Sequence, residues 1–381
     1  MTIYIIVLIA FLSHVGFAGS RLAVPLFAID QGATPFVVGT VVALYALFPA
    51  VLALPAGRMT DRLGYKMPIL FGTGGVCVAL LLPFVWPSMA TLYFTASLIG
   101  LAFMTLQLGT QTLAGAIAKP EDRARNFSML SLGFACANFG GPLLTGYLID
   151  EIGYAWTFFA IAMPLVPAIG FSAFGGRWIP KHVTTKGESV RGGMFDLLKI
   201  KALRDTLIAS GIVSAAWDVY QFFMPIYGRS LDLSATAIGA VMSAFAVSII
   251  LVRLVLPFVL RYTSDVQLLT YAMFVAAAAF CLFPLFEGAW ALAAASFLLG
   301  IGCGVGQPLS MTMVFSASPK ARAAEATGMR ITVNQVTHFA IPLLFGVVGS
   351  VAGYAVVFFT NAGGLIVGGY LSLRNNARSK P

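Results

Sequence analysis

The sequence predicts an all-α membrane protein, with twelve transmembrane helices in two pseudo-symmetric six-helix bundles, on three observations. Of the 381 residues, 59% are apolar and only 10% are charged, where soluble domains carry roughly a quarter charged residues. The basic residues gather in alternate connectors. The second half of the chain repeats the first at an offset of 200 residues. A bilayer accommodates such a composition, because a spanning helix needs ~20 mostly apolar residues and satisfies its own backbone polar groups without water.

Apolar stretches near 3–28, 36–56, 67–89, 90–117, 126–150 and 154–175 supply six spans. Those near 204–228, 235–260, 266–287, 290–316, 322–350 and 353–373 supply six more. The first competes with a secretory leader, since Phe17-Ala18-Gly19 places small residues after an apolar run. No basic segment precedes that run, and the repeat claims it for the fold. Span 2 is followed by Arg58, Arg62 and Lys66, and span 4 by Lys119, Arg123 and Arg125. Span 6 is followed by Arg177, Lys181, Lys186, Arg191, Lys199 and Lys201. Arg261, Lys320, Arg322, Arg374, Arg378 and Lys380 continue the same side, while the opposite connectors carry almost nothing basic except Arg229. The positive-inside bias then puts both termini in the cytoplasm. The formal net charge of +9 accordingly reflects topology, and no nucleic-acid partner is expected.

In the repeat, Pro25 aligns with Pro225, Gly39 with Gly239, Gly100 with Gly300 and Gln107 with Gln307. Pro142-Leu143-Leu144-Thr145-Gly146 matches Pro342-Leu343-Leu344-Phe345-Gly346, and Gly153-Tyr154 with Phe158-Phe159 matches Gly353-Tyr354 with Phe358-Phe359. The expected domains are a first bundle over 1–175, a cytoplasmic linker over 176–203 with room for a short surface helix, and a second bundle over 204–381. Six spans return the chain to its starting side, so the repeats are parallel, with a cavity between them. Cys77, Cys136, Cys281 and Cys303 lie within spans without paired spacing and are read as buried small apolar residues. No metal and no cofactor are expected.

Gly57-Arg58-Met59-Thr60-Asp61-Arg62-Leu63-Gly64-Tyr65-Lys66, placed between spans 2 and 3, resembles the G-x-x-x-D-R-x-G-[RY]-[RK] signature of the Major Facilitator Superfamily. With the twelve spans and the two-half repeat, the resemblance covers essentially the whole chain and implies the Major Facilitator fold. It implies a gating cluster in which Gly57 lets helices approach, Gly64 permits a tight turn and Asp61 accepts charge-assisted bonds, with Arg62 and Lys66 beside it. At the matching positions of the second half stand Pro257, Arg261 and Ser264, so the cluster is asymmetric. Ala137-x-x-x-Gly141-Pro142-x-x-Thr145-Gly146 resembles the helix-5 element of proton-linked exporters, with Ala137 and Thr145 departing from it; close helix packing explains the same residues. The arginine that this superfamily places four residues before the helix-4 glycine is replaced by Ala96 before Gly100.

An ionisable group in a span costs ~2.5–3.5 kcal/mol on insertion scales and is a functional candidate by default. Arg21 lies roughly 27 Å along span 1, with Gln221 at the matching place and Asp218 one turn deeper. Arg21 and Asp218 are expected on opposite walls of one cavity, with snorkelling to lipid headgroups the alternative for Arg21. His14 and His338, the latter matching Asn138, can titrate near neutral pH or serve as packing elements. Gln107, Gln307 and Asn334 add amides, and Arg330 lies near a cytoplasmic end with a gating role. Tyr220 is kept as a wall of the cavity, although Tyr45, Trp217, Tyr220, Phe222 and Phe223 as a group have lipid-facing or interfacial placement as their commoner fate.

The resemblance implies alternating-access transport of a small organic solute, coupled to protons, with efflux favoured by the helix-5 element. Proton-symport uptake of an organic anion such as a carboxylate is the alternative that Arg21 favours. A lipid flippase or a non-transporting membrane sensor is the alternative of another class. An enzyme is not expected, since no nucleophile–base pair or metal set stands at reactive spacing, and no Gly-Lys-Ser/Thr phosphate loop is present. A functional monomer in the inner membrane completes the expectation.

Overall fold

A computed structural model of the chain describes residues 2–117, 123–174, 194–318 and 323–378. It is built from α1 (Thr2–Asp30), α2 (Pro35–Leu63), α3 (Lys66–Val85), α4 (Met89–Ala116), α5 (Arg123–Ala162) and α6 (Leu165–Phe174). There follow α7 (Lys201–Ser230), α8 (Ala235–Val259), α9 (Asp265–Leu282), α10 (Ala289–Ala317), α11 (Ala323–Ala352) and α12 (Tyr354–Arg378). Among the described residues, eleven segments are long and apolar enough to cross a bilayer. One of them, Arg125–Phe174, has 50 residues, more than twice the ~20 that a span needs. Gly153 breaks it at φ 75, ψ 173, a conformation that costs glycine nothing. Residues before and after that break make separate crossings, so twelve spans result. The sixth is interrupted again at Pro164, whose missing N–H cannot continue the helical ladder, and turn bonds from Met163 N to Ala160 O and from Val166 N to Met163 O bridge the gap.

The repeat is visible in local geometry. Gly353 takes φ 83 where Gly153 takes 75, and Asp232 takes φ 57 where Gly32 takes 80. Aspartate is among the few residues that tolerate this region. Just after those turns Thr34 Oγ1 accepts from Val37 N at 3.4 Å, and Ser234 Oγ accepts from Ala237 N at 3.1 Å. The same N-cap thus opens α2 and α8.

Two differences from the sequence expectation have simple causes. α2 runs on to Leu63 instead of stopping near 56, because nothing between Gly57 and Leu63 breaks a helix; the turn falls at Gly64, at φ 76. The side chains of Gly57, Asp61 and Arg62 lie outside the described residues. Cys136 is exposed, against the expected burial, although Cys77 and Cys303 are buried and all four cysteines are free. Its outward placement follows from α5 packing mainly on α1 with the opposite face.

The chain forms two compact units, Met1–Lys186 with Gly228–Ser243, and Gly187–Tyr227 with Ala244–Pro381. In the first, α1 packs along α5, α3 along α4, and α2 along α4. The first unit includes the start of α8 because helix 5 holds it chemically. Asp150 accepts from Ala235 N at 3.1 Å and Thr236 N at 2.7 Å, satisfying two N–H groups that a helix start leaves open. Ser243 Oγ donates to Phe139 O at 2.7 Å, and a Cβ on Gly146 would overlap the carbonyl of Ala235. In the second unit α9 packs against α10 and α12. The 3-10 helix Met194–Lys199 at the end of the linker buries Leu197 with Leu203, Leu207, Val314, Ala326 and Met329.

Gly141, in the helix-5 element, faces α1. An added Cβ would lie 2.9 Å from Ala18 Cβ and 3.0 Å from Val15 O, whereas at Gly140 it would meet nothing within 4 Å. Gly141→Val is therefore expected to lower stability by about 1–3 kcal/mol through overpacking, and Gly140→Ala to leave it unchanged. Thermal unfolding of the two purified variants in one detergent checks the contrast, and equal melting temperatures would remove the seam.

Candidate functional site

In the second unit two polar stripes face each other. Ser210, Ser214 and Asp218 recur every four residues on α7, and Arg330, Asn334 and His338 do the same on α11, a spacing that keeps each set on one helix face. His338 Nδ1 lies 2.5 Å from Asp218 Oδ2. Ser210 Oγ donates to Asn334 Oδ1 at 3.4 Å, and Arg330 Nη1 donates to Ser310 Oγ on α10 at 3.3 Å.

The Asp218–His338 pair has a dry end and an open one. Asp218 is 2% exposed and its Oδ1 has no hydrogen-bond partner, while the His338 side chain is 27% exposed. On the same helix as Asp218, Trp217 meets Phe245 edge-on at a centroid distance of 5.0 Å and Tyr220 stacks on it at 4.4 Å. In low dielectric a carboxylate gains more from an adjacent imidazolium than it would in water.

The first unit places different chemistry at the matching positions. Ala18 and Asn138 stand where the second unit has Asp218 and His338, and the Asn138 amide returns to Phe134 O of its own helix at 3.0 Å. His14 is 7% exposed, with the Asn138 side chain as its hydrogen-bonding neighbour. It sits among Phe17, Phe103 and Phe134 at centroid distances of 5.4, 5.1 and 4.9 Å. The Arg21 guanidinium lies over Phe17 at 5.8 Å and over Tyr45 at 5.9 Å. Tyr45 donates its hydroxyl to Ser20 Oγ at 3.0 Å.

Arg21 therefore belongs to the first unit and Asp218 to the second, and within its own unit Asp218 is matched to His338. Gln221 and Gln107 are half-buried and Gln307 is exposed. Tyr45, Tyr220, Phe222 and Phe223 are buried, which corrects the lipid-facing or interfacial expectation, because their rings fill the centres of the units. Tyr220, expected as a cavity wall, is 1% exposed. Sequence reasoning missed Asp150, Phe103, Phe134 and Ser210. The four-residue spacing on α7 and α11 was a usable signal for Ser210, whereas Asp150 carries no local mark beyond the end of a span. Asp150 also lines a cavity of about 230 Å³ with Asp30, Tyr154 and Arg229 in the first unit. Among the described residues, no group of three or more His, Cys, Asp or Glu is placed to hold a metal.

Comparison with known proteins gives a family and distant relatives. The Major Facilitator Superfamily matches residues 6–289 and again 206–381. The quinolone resistance protein NorA of Staphylococcus aureus is 21% identical over 346 residues, 87% of this chain and 86% of that protein. The multidrug resistance protein MdtG of Dickeya zeae is 24% identical over 362 residues, covering 89% of this chain and 85% of that one. Of solved structures, the nucleoside transporter NupG superposes with a TM-score of 0.82 at 15% identity, covering 98% of this chain and 99% of that one. The peptide transporter POT in complex with sulfate gives 0.84 at 14% identity, covering 99% and 94%. At these identities the superpositions establish the fold alone.

If the 2.5 Å contact is an energetic pair, Asp218→Ala and His338→Ala will not add. A double-mutant cycle in stability should return a coupling of about 1–3 kcal/mol, measured by unfolding in detergent. Additivity within ~0.5 kcal/mol would mean that the two side chains are only neighbours.

Proposed function

The chain belongs to the Major Facilitator Superfamily and is a multi-pass inner-membrane transporter of small solutes, and on that premise we propose that it exports a small organic solute in exchange for protons. The observation that carries the reading is the Asp218–His338 contact. With one exchangeable proton bound, the carboxylate and imidazolium are together neutral. Without it a net negative charge remains at a position 2% exposed, and an uncompensated buried charge is strongly unfavourable. Closure of the transporter around the pair is then favourable with the proton bound, or with a bound solute that offsets the charge in the proton's place. That is the condition alternating access needs in order to couple a proton to a solute. The half-open imidazole is the place where the proton enters and leaves.

Two further observations support the direction. NorA and MdtG carry resistance in their names, and the helix-5 residues Gly141 and Pro142 resemble an element of proton-linked exporters. Basic residues in alternate connectors support cytoplasmic termini, and two six-helix repeats in one chain support a functional monomer.

The test is proton movement in proteoliposomes containing an internal pH dye, under an imposed gradient, with a panel of organic acids and amphipathic cations. Export by antiport predicts substrate-dependent alkalinisation of an acidic lumen. Co-entry of protons with an anion would overturn it in favour of uptake. Asp218→Asn should reduce proton movement at least tenfold while solute counterflow persists, and proton flux at the wild-type level in that variant would remove the pair from the mechanism.

A further inference from the structure

The proton site leaves a second intramembrane charge without a task. Arg21 is half-buried in α1, and among the described residues no carboxylate pairs with it. The faces it meets are the rings of Phe17 and Tyr45, which soften the charge by cation–π attraction but accept no hydrogen bond in the plane of the guanidinium. Tyr45 does not supply one either, since its hydroxyl is turned to Ser20.

From Arg21 an aromatic wall runs down the helix. Phe17 stacks on Phe103 with centroids 3.8 Å apart and an interplanar angle of 10°. Behind them His14 is more than nine-tenths buried. The second unit keeps the Phe17–Tyr45 contact as Trp217 against Phe245 at 5.0 Å, but Cys303 takes the place of Phe103 and Gln221 that of the arginine. The duplicated slot thus carries a cation without an acid in one unit and an acid with a histidine in the other.

We propose that Arg21, with the rings of Phe17, Tyr45 and Phe103, is the recognition site for a solute that joins an aromatic ring to a carboxylate. The planar fork of arginine takes a carboxylate in two parallel hydrogen bonds, and the half-buried Phe17 ring, backed by the buried rings of Tyr45 and Phe103, offers an aromatic solute a flat face. This rests on the reading of the chain as a transporter of small organic solutes and adds the chemical class.

The experiment is binding to the purified protein in detergent without any ion gradient, measured by titration calorimetry. The probes are benzoate, indole-3-acetate and 2-naphthoate, each against its primary amide. At least one acid should bind tenfold or more tightly than its amide. Arg21→Gln should erase that preference, and Arg21→Lys, which keeps the charge but loses the fork, should weaken the acid by about tenfold. Phe103→Leu should weaken acid and amide alike. Variants are compared only if they melt within the wild-type range, with Arg21→Lys standing in should Arg21→Gln fail to fold. Wild-type protein that binds every acid no better than its amide overturns the proposal, as would happen if the guanidinium were occupied by lipid phosphate. A preference that survives Arg21→Gln overturns it too. Since no gradient is applied, a failure of proton coupling leaves this result standing, and absence of the acid preference leaves proton antiport standing.

Discussion

Within a bilayer a polar group has no water to fall back on, and the rest of this protein follows from that constraint. Many of its hydroxyls settle the matter locally, by donating to the carbonyl four residues back on their own helix. Thr73 donates to Ile69 O at 2.8 Å, Thr110 to Leu106 O at 2.9 Å, Ser172 to Ala168 O at 2.7 Å and Thr337 to Val333 O at 2.9 Å. Such residues are silent, because their polarity is absorbed before it can act on anything else. Asp218, His338, Asn334, Arg330, Arg21 and His14 have no such local exit. They must be matched by another helix, by a ring face, or by something that enters from outside the protein.

The duplication shows how different these solutions are on one scaffold. α1 against α5 and α7 against α11 are the same pairing in repeated sequence, with Ala18 and Asn138 at the places of Asp218 and His338. One seam closes with small and apolar residues, such as Gly141 against Val15 and Ala18, and with Ala10 clustered with Leu130. The other closes with hydrogen bonds from Ser210 to Asn334 and between Asp218 and His338. Turns and caps, by contrast, were kept, as in Gly153 and Gly353 or Thr34 and Ser234. Backbone geometry tolerates few residue types, whereas a side chain at a helix–helix seam needs only a partner that fits.

This division explains what could be read from the sequence. The spans, the repeat and the isolation of Arg21 and Asp218 in apolar surroundings were legible, since each is a property of a local window or of a fixed offset. The partner of Asp218 was not, because His338 lies 120 residues away and pairing across helices depends on rotation about two axes. The four-residue spacing of Arg330, Asn334 and His338 was present in the sequence, but it points to a polar face without saying which helix it meets. Aromatic residues were misplaced for the opposite reason. Tyr220 and Phe223 are as apolar as a lipid-facing residue, and only the close fit with Phe245, Phe283 and Phe358 puts them inside.

Proteins that superpose on this chain with TM-scores of 0.82 and 0.84 share only 14–15% of its residues, and they are a nucleoside and a peptide transporter. A fold that persists through such divergence cannot depend on any particular buried polar pair, and it is held by what those pairs are embedded in: apolar length, helix-breaking glycines and close seams. The polar stripes are then free to vary without refolding the protein. Substitution there changes which polar groups are matched, at the cost of only a few side-chain contacts. In this chain they have diverged to an acid–histidine pair in one unit and, in the other, an arginine that lies beside rings and that no carboxylate meets among the described residues. That asymmetry is what two different tasks, holding a proton and holding an anion, would require of a duplicated scaffold.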